Sequence, residues 1–255
     1  MSGISGISNS YSSYSMYGKI ASGLRIQSSA DDAAGLAISE KLTSQENGLN
    51  KGTQNAQSGQ DLLNVSDGAL GSITDNLQRI RELAVQASNG LLTDSDKKDI
   101  QAEVDQLKQG IGDIADQTTF NTKPLLNGDS SLYMATDSNG NSVSVNTTNA
   151  TLSSLGIEDF DVTGNFSIDT IDKALDKVTT ARAKGGAQYN ALSSTISYNN
   201  YAAQNTAASN SRIEDLDIPK ALTDLTKQNL LNTYKIFMQK SANAAAQNRN
   251  TILFR

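Results

Sequence analysis

The stretch SADDAAGLAISEKLTSQENGLNKGTQNAQSGQDLLNVSDGALGSITDNLQRIRELAVQASNG, Ser29–Gly90, decides the fold. It contains no proline, and apolar side chains recur in it at intervals of seven residues. The main row comprises Leu42, Leu49, Ala56, Leu63, Leu70, Leu77 and Ala84, and a partner row adds Ile73, Ile80 and Ala87. Two such rows are typical of helices that pack in a left-handed coil, so the stretch predicts a long helix. Each row can serve the core of the chain or face another copy of it.

The predicted ends of this helix rest on short capping patterns. Ser29 is a suitable N-cap residue, with Asp32 three positions later to complete a capping box. Asn89-Gly90 predicts the C-terminal end of the helix, with a residue in the left-handed conformation. Three glycines, Gly48, Gly52 and Gly59, weaken the middle, which is where a break would fall.

The remaining helices follow the same periodicity. A second helix, capped by Ser95, is expected to run antiparallel to the first because the connecting loop is short. The pattern resumes at Ile168, is interrupted at Gly185-Gly186, and continues to about Ile213. Amphipathic helices are also predicted near both ends of the chain, and neither has an obvious partner except the other or another copy. Their apolar residues are Ile4, Ile7, Tyr11 and Tyr14 at one end, and Leu231, Tyr234, Phe237, Met238, Ile252 and Leu253 at the other.

Between Pro124 and Asp172 the composition changes, because these 49 residues contain seven acids and neither Lys nor Arg. Ser131–Thr136 and Ser142–Thr147 flank the turn sequence Asp137-Ser138-Asn139-Gly140, which predicts a β-hairpin. The expected fold is therefore mainly α: an elongated antiparallel helical bundle or coiled coil with a small β-hairpin insertion. The expected segments are 1–28 (N-terminal helix), 29–122 (rod), 123–167 (hairpin insertion), 168–218 (rod) and 219–255 (C-terminal helix).

Composition excludes several function classes. The 255 residues include no His and no Cys, so imidazole and thiol chemistry and zinc sites built on those residues are absent, and we expect no metal or cofactor. Chemistry based on Ser and Lys, on Tyr or on carboxylates remains open at this point. The net charge of −6 argues against nucleic acid and against an anionic membrane as partners. Paired acids at Asp31-Asp32 suggest catalytic carboxylates, but their place in a first helical turn favours capping.

Five short motifs, taken together and in order, resemble the bacterial flagellins. They are Ser22-Gly23-Leu24-Arg25-Ile26, Asp31-Asp32-Ala33-Ala34-Gly35, Leu77 to Gln86, Gln117-Thr118-Thr119-Phe120-Asn121 and Ser211-Arg212-Ile213-Glu214-Asp215. Two features depart from the family pattern: the segment before Ser22 is short, and the middle of the chain has no room for outer domains.

The resemblance implies a structural subunit that leaves the cell and polymerises non-covalently into the flagellar filament for swimming motility. It implies copies of the chain, the flagellar export machinery and the filament cap as partners, with the terminal helices in the filament core. It also implies a surface for subunit packing or for Toll-like receptor 5 of a host. That surface consists of Gln78, Arg79, Glu82, Leu83 and Gln86. Gly110 stands where flagellins usually carry a Glu that aids the receptor, so the resemblance leaves open whether receptor activation is strong or silent.

Three alternatives remain at this point. A hook–filament junction protein shares the terminal motifs, although the Leu77–Gln86 match argues against it. A secreted adhesin or immune-receptor ligand is the second. An enzyme, such as a flagellin with an inserted protease, is the third, and the absence of His-Glu-x-x-His opposes it.

Overall fold

A computed structural model describes the backbone of residues 14–253 and the side chains of residues 14–249. Helix α1 covers residues 14–22 of this part. The other helices are α2 (Ala33–Ala87), α3 (Asp94–Gln117), α4 (Leu152–Leu155), α5 (Ile168–Glu214) and α6 (Ile218–Leu253). The strands are β1 (Thr119–Phe120), β2 (Lys123–Pro124), β3 (Ser131–Ala135) and β4 (Ser142–Asn146). The prediction of a mainly helical fold with a small β-hairpin is confirmed.

The described chain forms two compact units, which we call the terminal unit and the middle unit. The terminal unit combines the residues up to Ser44 with those from Gln204 onward. The middle unit is Gln45–Ala203, and helices α2 and α5 each contribute to both. Within residues 14–253, no helix is both long and apolar enough to cross a membrane.

The heptad rows of α2 form the core of the middle unit. Leu77, Ile73 and Ile80 are fully buried, in one cluster with Val104 and Ile111 of α3. Cross-helix contacts give the directions of the helices. Arg81 pairs with Asp172 and Asp67 with Arg182, so α2 and α5 run antiparallel. Arg79 pairs with Glu103 while Asn76 lies beside Gly110, so α2 and α3 are antiparallel, as expected.

Helix α2 is continuous through its three central glycines, so the break that they allow does not occur. These glycines instead receive the β3–β4 hairpin. A methyl group on Gly52 would collide with the carbonyl group of Thr136, and one on Gly48 would lie 2.8 Å from the Cα of Ser138. Gly59 faces the side chain of Met134 in the same way. The cost of glycine in a helix is therefore offset by close packing of the hairpin.

The hairpin is close to its predicted bounds. Strands β3 and β4 pair antiparallel, with Tyr133 opposite Ser144. The carboxylate of Asp137 accepts the backbone amides of Asn139 and Asn141, both at 2.8 Å, which closes the turn. Gly140 adopts a φ of +84°, a left-handed conformation that glycine accepts without strain.

The predicted helix ends need correction, because neighbouring side chains make the caps. Asp32, not Ser29, caps α2, and its carboxylate accepts the amide of Gly35 at 2.8 Å. Thr93, not Ser95, caps α3 in a capping box with Asp96. Helix α2 ends at Ala87, and Gly90 is not among the glycines of positive φ in the described chain. Helix α5 runs without interruption through Gly185-Gly186.

Candidate assembly surfaces

Helix α6 presents apolar side chains that nothing in the described chain covers. Its first turns are packed within the terminal unit, because Ala221 and Leu225 are buried. Beyond them Tyr234 is 60% exposed and Phe237 66%, and Leu230, Leu231, Ile236 and Met238 are also exposed. Leu230, Tyr234 and Phe237 are spaced i, i+4, i+7 and so share one face of the helix. Such a row without a partner is typical of a surface that another chain covers.

The N-terminal candidates are described only in part. Tyr14 lies on α1 and is 79% exposed. Ile4, Ile7 and Tyr11 lie outside the described residues, as do the side chains of Ile252 and Leu253. The role of all these residues in a filament core stays a prediction.

Two of the sequence motifs that carried the family resemblance meet in the terminal unit. Leu24 and Asp215 form an antiparallel bridge. The Arg25 amide donates to the carbonyl of Glu214 at 2.6 Å, and the Leu216 amide donates to the carbonyl of Gly23 at 2.8 Å. We call residues 23–25 and 213–216 the clasp. Sequence reasoning identified both motifs but missed their pairing, because a single bridge has no periodic signal.

Side chains reinforce the clasp from three directions. The Arg25 guanidinium donates to the carbonyl of Ile213 in the last turn of α5. The Ser39 hydroxyl of α2 donates to the carboxylate of Glu214. The amide of Asn210 donates to the same carboxylate at 3.3 Å and to the hydroxyl of Thr43 at 3.1 Å. Glu214 therefore joins the start of α2 to the end of α5.

A second contact holds α1 beside the start of α2. Lys19 pairs with Asp31 at 2.6 Å, and the amides of Gln27 and Ser28 donate to the same carboxylate at 3.1 and 3.2 Å. The hydrogen bond from Lys19 is the main cause that lowers the pKa of Asp31 from 3.8 to about 2. Asp31 and Asp32 both serve local structure, because Asp32 caps α2.

The predicted surface on α2 is polar and half exposed. Arg79 pairs with Glu103 of α3 at 2.8 Å and with Glu82 at 3.1 Å, and these hydrogen bonds raise the pKa of its guanidinium. Gln78 and Gln86 are exposed as well. Leu83 differs: it is 2% exposed and belongs to the core cluster of the middle unit. Leu83 lies four residues after Arg79 on the same helix, but it is on the buried side of the boundary between the surface and the core.

Gly110 lies on α3 close to this surface. A methyl group placed on it would have the amide nitrogen of Asn76 as its nearest neighbour, at 3.5 Å, which is ordinary van der Waals contact. The site can therefore accept a larger side chain without displacing backbone.

Long helices with a buried heptad core, and an apolar helix face that no described residue covers, are typical of a structural protein that assembles with further chains. Similarity to known protein families supports the same class of protein. A model of the bacterial flagellin N-terminal helical region matches residues 5–131, and one of the C-terminal helical region matches residues 168–251. The chain belongs to the bacterial flagellin family, whose members are structural subunits of the flagellar filament.

Individual relatives match along nearly their whole length. A flagellar filament 31.3 kDa core protein of Treponema maltophilum is 36% identical over 92% of this chain and 90% of its own. The flagellin of Halalkalibacterium halodurans is 38% identical over 90% and 87%.

Among solved structures, a Bacillus cereus flagellin is 28% identical with a TM-score of 0.51, covering 57% of this chain and 88% of its own. A putative hook-associated protein of Vibrio parahaemolyticus has a TM-score of 0.61 at 15% identity, covering 72% and 100%. The latter likeness concerns the fold alone.

Proposed function

We propose that this chain polymerises into an extracellular flagellar filament through its terminal helices, without enzymatic activity. The observation that carries the proposal is the row of apolar side chains on α6 that are exposed in the part of the chain that the structure describes. Burial of a large apolar side chain contributes roughly 1.5–3 kcal/mol, so Leu230, Tyr234 and Phe237 together can offset much of the entropy lost on association. The contact is expected to be heterologous, since such contacts propagate into an open helical polymer.

Further partners are part of the proposal. We expect the flagellar export machinery to pass the chain outward and the filament cap to receive it, and a chain with no Cys is compatible with transport in an unfolded state. The exposed residues around Arg79 are proposed to contact a neighbouring subunit or, on free monomer, Toll-like receptor 5. The half-exposed ion pairs of Arg79 leave its surface accessible to either.

A single charge on the apolar face of α6 tests the proposal. Phe237→Asp should leave the melting temperature of the monomer unchanged, because Phe237 is exposed, and should abolish growth of filaments from seeds. Gln239→Asp is the matched control, since it adds the same charge two residues away on an exposed, polar position. Removal of Lys227–Arg255 should also abolish growth while circular dichroism still reports a helical chain. Normal filaments from Phe237→Asp would contradict the assembly mechanism.

A further inference from the structure

We infer that the clasp sets the positions of the two terminal helices for assembly, and that Arg25 is its positioning residue. This inference rests on the proposed function, because it concerns how the assembling surface is held. The clasp lies between the end of α1 and the start of α6, within the terminal unit. Helix α1 ends at residue 22, directly before Gly23, and α6 begins at Ile218, two residues after Leu216.

The backbone of the clasp fixes both connections at once. Its two hydrogen bonds run in opposite directions on either side of Leu24 and Asp215, which defines a non-hydrogen-bonded antiparallel pair. Gly23 adopts a φ of +73°, so the chain turns sharply as it leaves α1. A change in this pair therefore moves the end of α1 and the start of α6 together.

The Arg25 side chain adds a contact to the clasp that a substitution can remove while the backbone hydrogen bonds stay. Its guanidinium donates to the carbonyl of Ile213, which is one of the last four carbonyls of α5. Such carbonyls have no partner within the helix, and a basic side chain satisfies them while favouring the negative end of the helix dipole. Because the Arg25 side chain is exposed, it stabilises the clasp through this hydrogen bond and not through burial.

The clasp matters for assembly because ordering two independent helices loses more conformational entropy than ordering two helices that are held together. If α1 and α6 leave the clasp in a fixed relation, docking of one raises the effective concentration of the other at the growing filament. If the clasp opens, each helix is ordered separately and loses more conformational entropy. The clasp thus acts on assembly without touching a neighbouring subunit.

Critical concentration measures this effect. Arg25→Ala should raise the critical concentration for seeded growth about tenfold. Arg25→Lys should raise it less, because lysine can still donate a single hydrogen bond to the carbonyl of Ile213. Arg212→Ala is the matched control, because Arg212 lies beside the clasp and donates only to the hydroxyl of Ser209 at 3.0 Å. The melting temperature of the middle unit should stay unchanged in all three variants.

A disulfide distinguishes positioning from direct contact with a neighbour. The chain has no Cys, and the Cα atoms of a non-hydrogen-bonded pair lie about 4.5 Å apart, within the range a disulfide spans. Leu24→Cys with Asp215→Cys, added to Arg25→Ala and oxidised, should return the critical concentration to the wild-type value, and reduction should raise it again.

Three results would count against these ideas, and each has a different meaning. If Arg25→Ala leaves the critical concentration unchanged, the inference is wrong. If the oxidised disulfide fails to rescue Arg25→Ala, the guanidinium contacts a neighbouring subunit and the positioning role is wrong. If the wild-type chain forms no filaments under seeded conditions, the proposed function itself fails, whatever the variants do.

Discussion

Asn199 of α5 donates a hydrogen bond from Nδ2 to the carbonyl oxygen of Thr136 at 2.6 Å, and both residues are buried. This contact ties the hairpin to α5. From the other side, the amide of Asn55 on α2 donates to the carbonyl of Ala135 at 2.8 Å. The end of β3 is therefore held between two helices by side-chain amides, at the point where the glycines of α2 let it approach.

Replacing Asn199 should destabilise the middle unit. Asn199→Ala leaves the buried carbonyl of Thr136 without this donor, which costs about 1–3 kcal/mol of unfolding free energy. Asn200→Ala is the control, because Asn200 is the next residue on the same helix and is exposed. Urea unfolding followed by circular dichroism gives both values. Equal stability of the two variants would show that the carbonyl finds another partner.

The glycines of α2 should respond to alanine with opposite signs. Gly68→Ala should raise the free energy of unfolding by about 0.5–1 kcal/mol, because its methyl group meets nothing within 4 Å and alanine favours helix. Gly52→Ala should lower it by about 1–2 kcal/mol, since the clash with the backbone of Thr136 outweighs the same helix gain. Urea unfolding of both variants decides the matter, and stabilisation by Gly52→Ala would refute the proposed role of the glycines.

These glycines show why the sequence predicted the core but not the docking of the hairpin. A heptad row such as Leu70 and Leu77 repeats its signal over many turns, so its burial follows from spacing alone. Gly52 gives one signal in the sequence, a low helix propensity, and that signal indicates a weak point of the helix rather than a contact. The residue that packs on Gly52, Thr136, is 84 residues away in the sequence, and no pattern in the residues around Gly52 indicates this contact.

The helix caps and the burial of Leu83 escaped prediction for a related reason. Ser29 and Asp32 are both acceptable N-cap residues, and only the path of the preceding chain decides between them. Leu83 lies four residues from Arg79, but a core between three helices covers a wider arc of α2 than a two-helix contact does. Spacing finds the faces of a helix, whereas the width of the buried face depends on its neighbours.

Acid should loosen the attachment of α1. The lowered pKa of Asp31, about 2, means that its carboxylate stabilises the folded state fully above its unfolded pKa near 4. That contribution is lost as the pH falls from about 4 through 2. Hydrogen exchange should show falling protection of the Gln27 and Ser28 amides in this window, because both donate to Asp31.

The control for the acid effect is Asp31→Asn, which should show weak protection that no longer varies with pH in that window. If the Gln27 and Ser28 amides of the wild type keep constant protection from pH 4 to 2, the ion pair with Lys19 does not hold this segment.

Replacing Arg79 should show whether this residue forms only solvated ion pairs or also contacts a neighbouring subunit. Arg79→Ala should leave the melting temperature of the monomer nearly unchanged, because both of its ion pairs are half exposed to water. If a neighbouring subunit covers this surface, the critical concentration should rise about tenfold or more. Arg81→Ala, which breaks a similarly exposed pair with Asp172, is the control in the same measurements. A critical concentration unchanged by Arg79→Ala would leave this surface as a solvated helix face.

Introducing an acid at Gly110 should act on two separate quantities. Gly110→Glu should stabilise α3 by somewhat less than about 1 kcal/mol, because glutamate is the better helix former and the nearest atom to its Cβ belongs to the Asn76 side chain. If the Arg79 surface binds Toll-like receptor 5 on free monomer, the variant should also signal more strongly in a receptor reporter assay, since it supplies an acidic contact. Gly110→Ala distinguishes helix stabilisation from the acidic contact, because alanine stabilises the helix and adds no charge. Greater signalling from Gly110→Glu than from Gly110→Ala supports the contact, and equal signalling from wild type and both variants contradicts it.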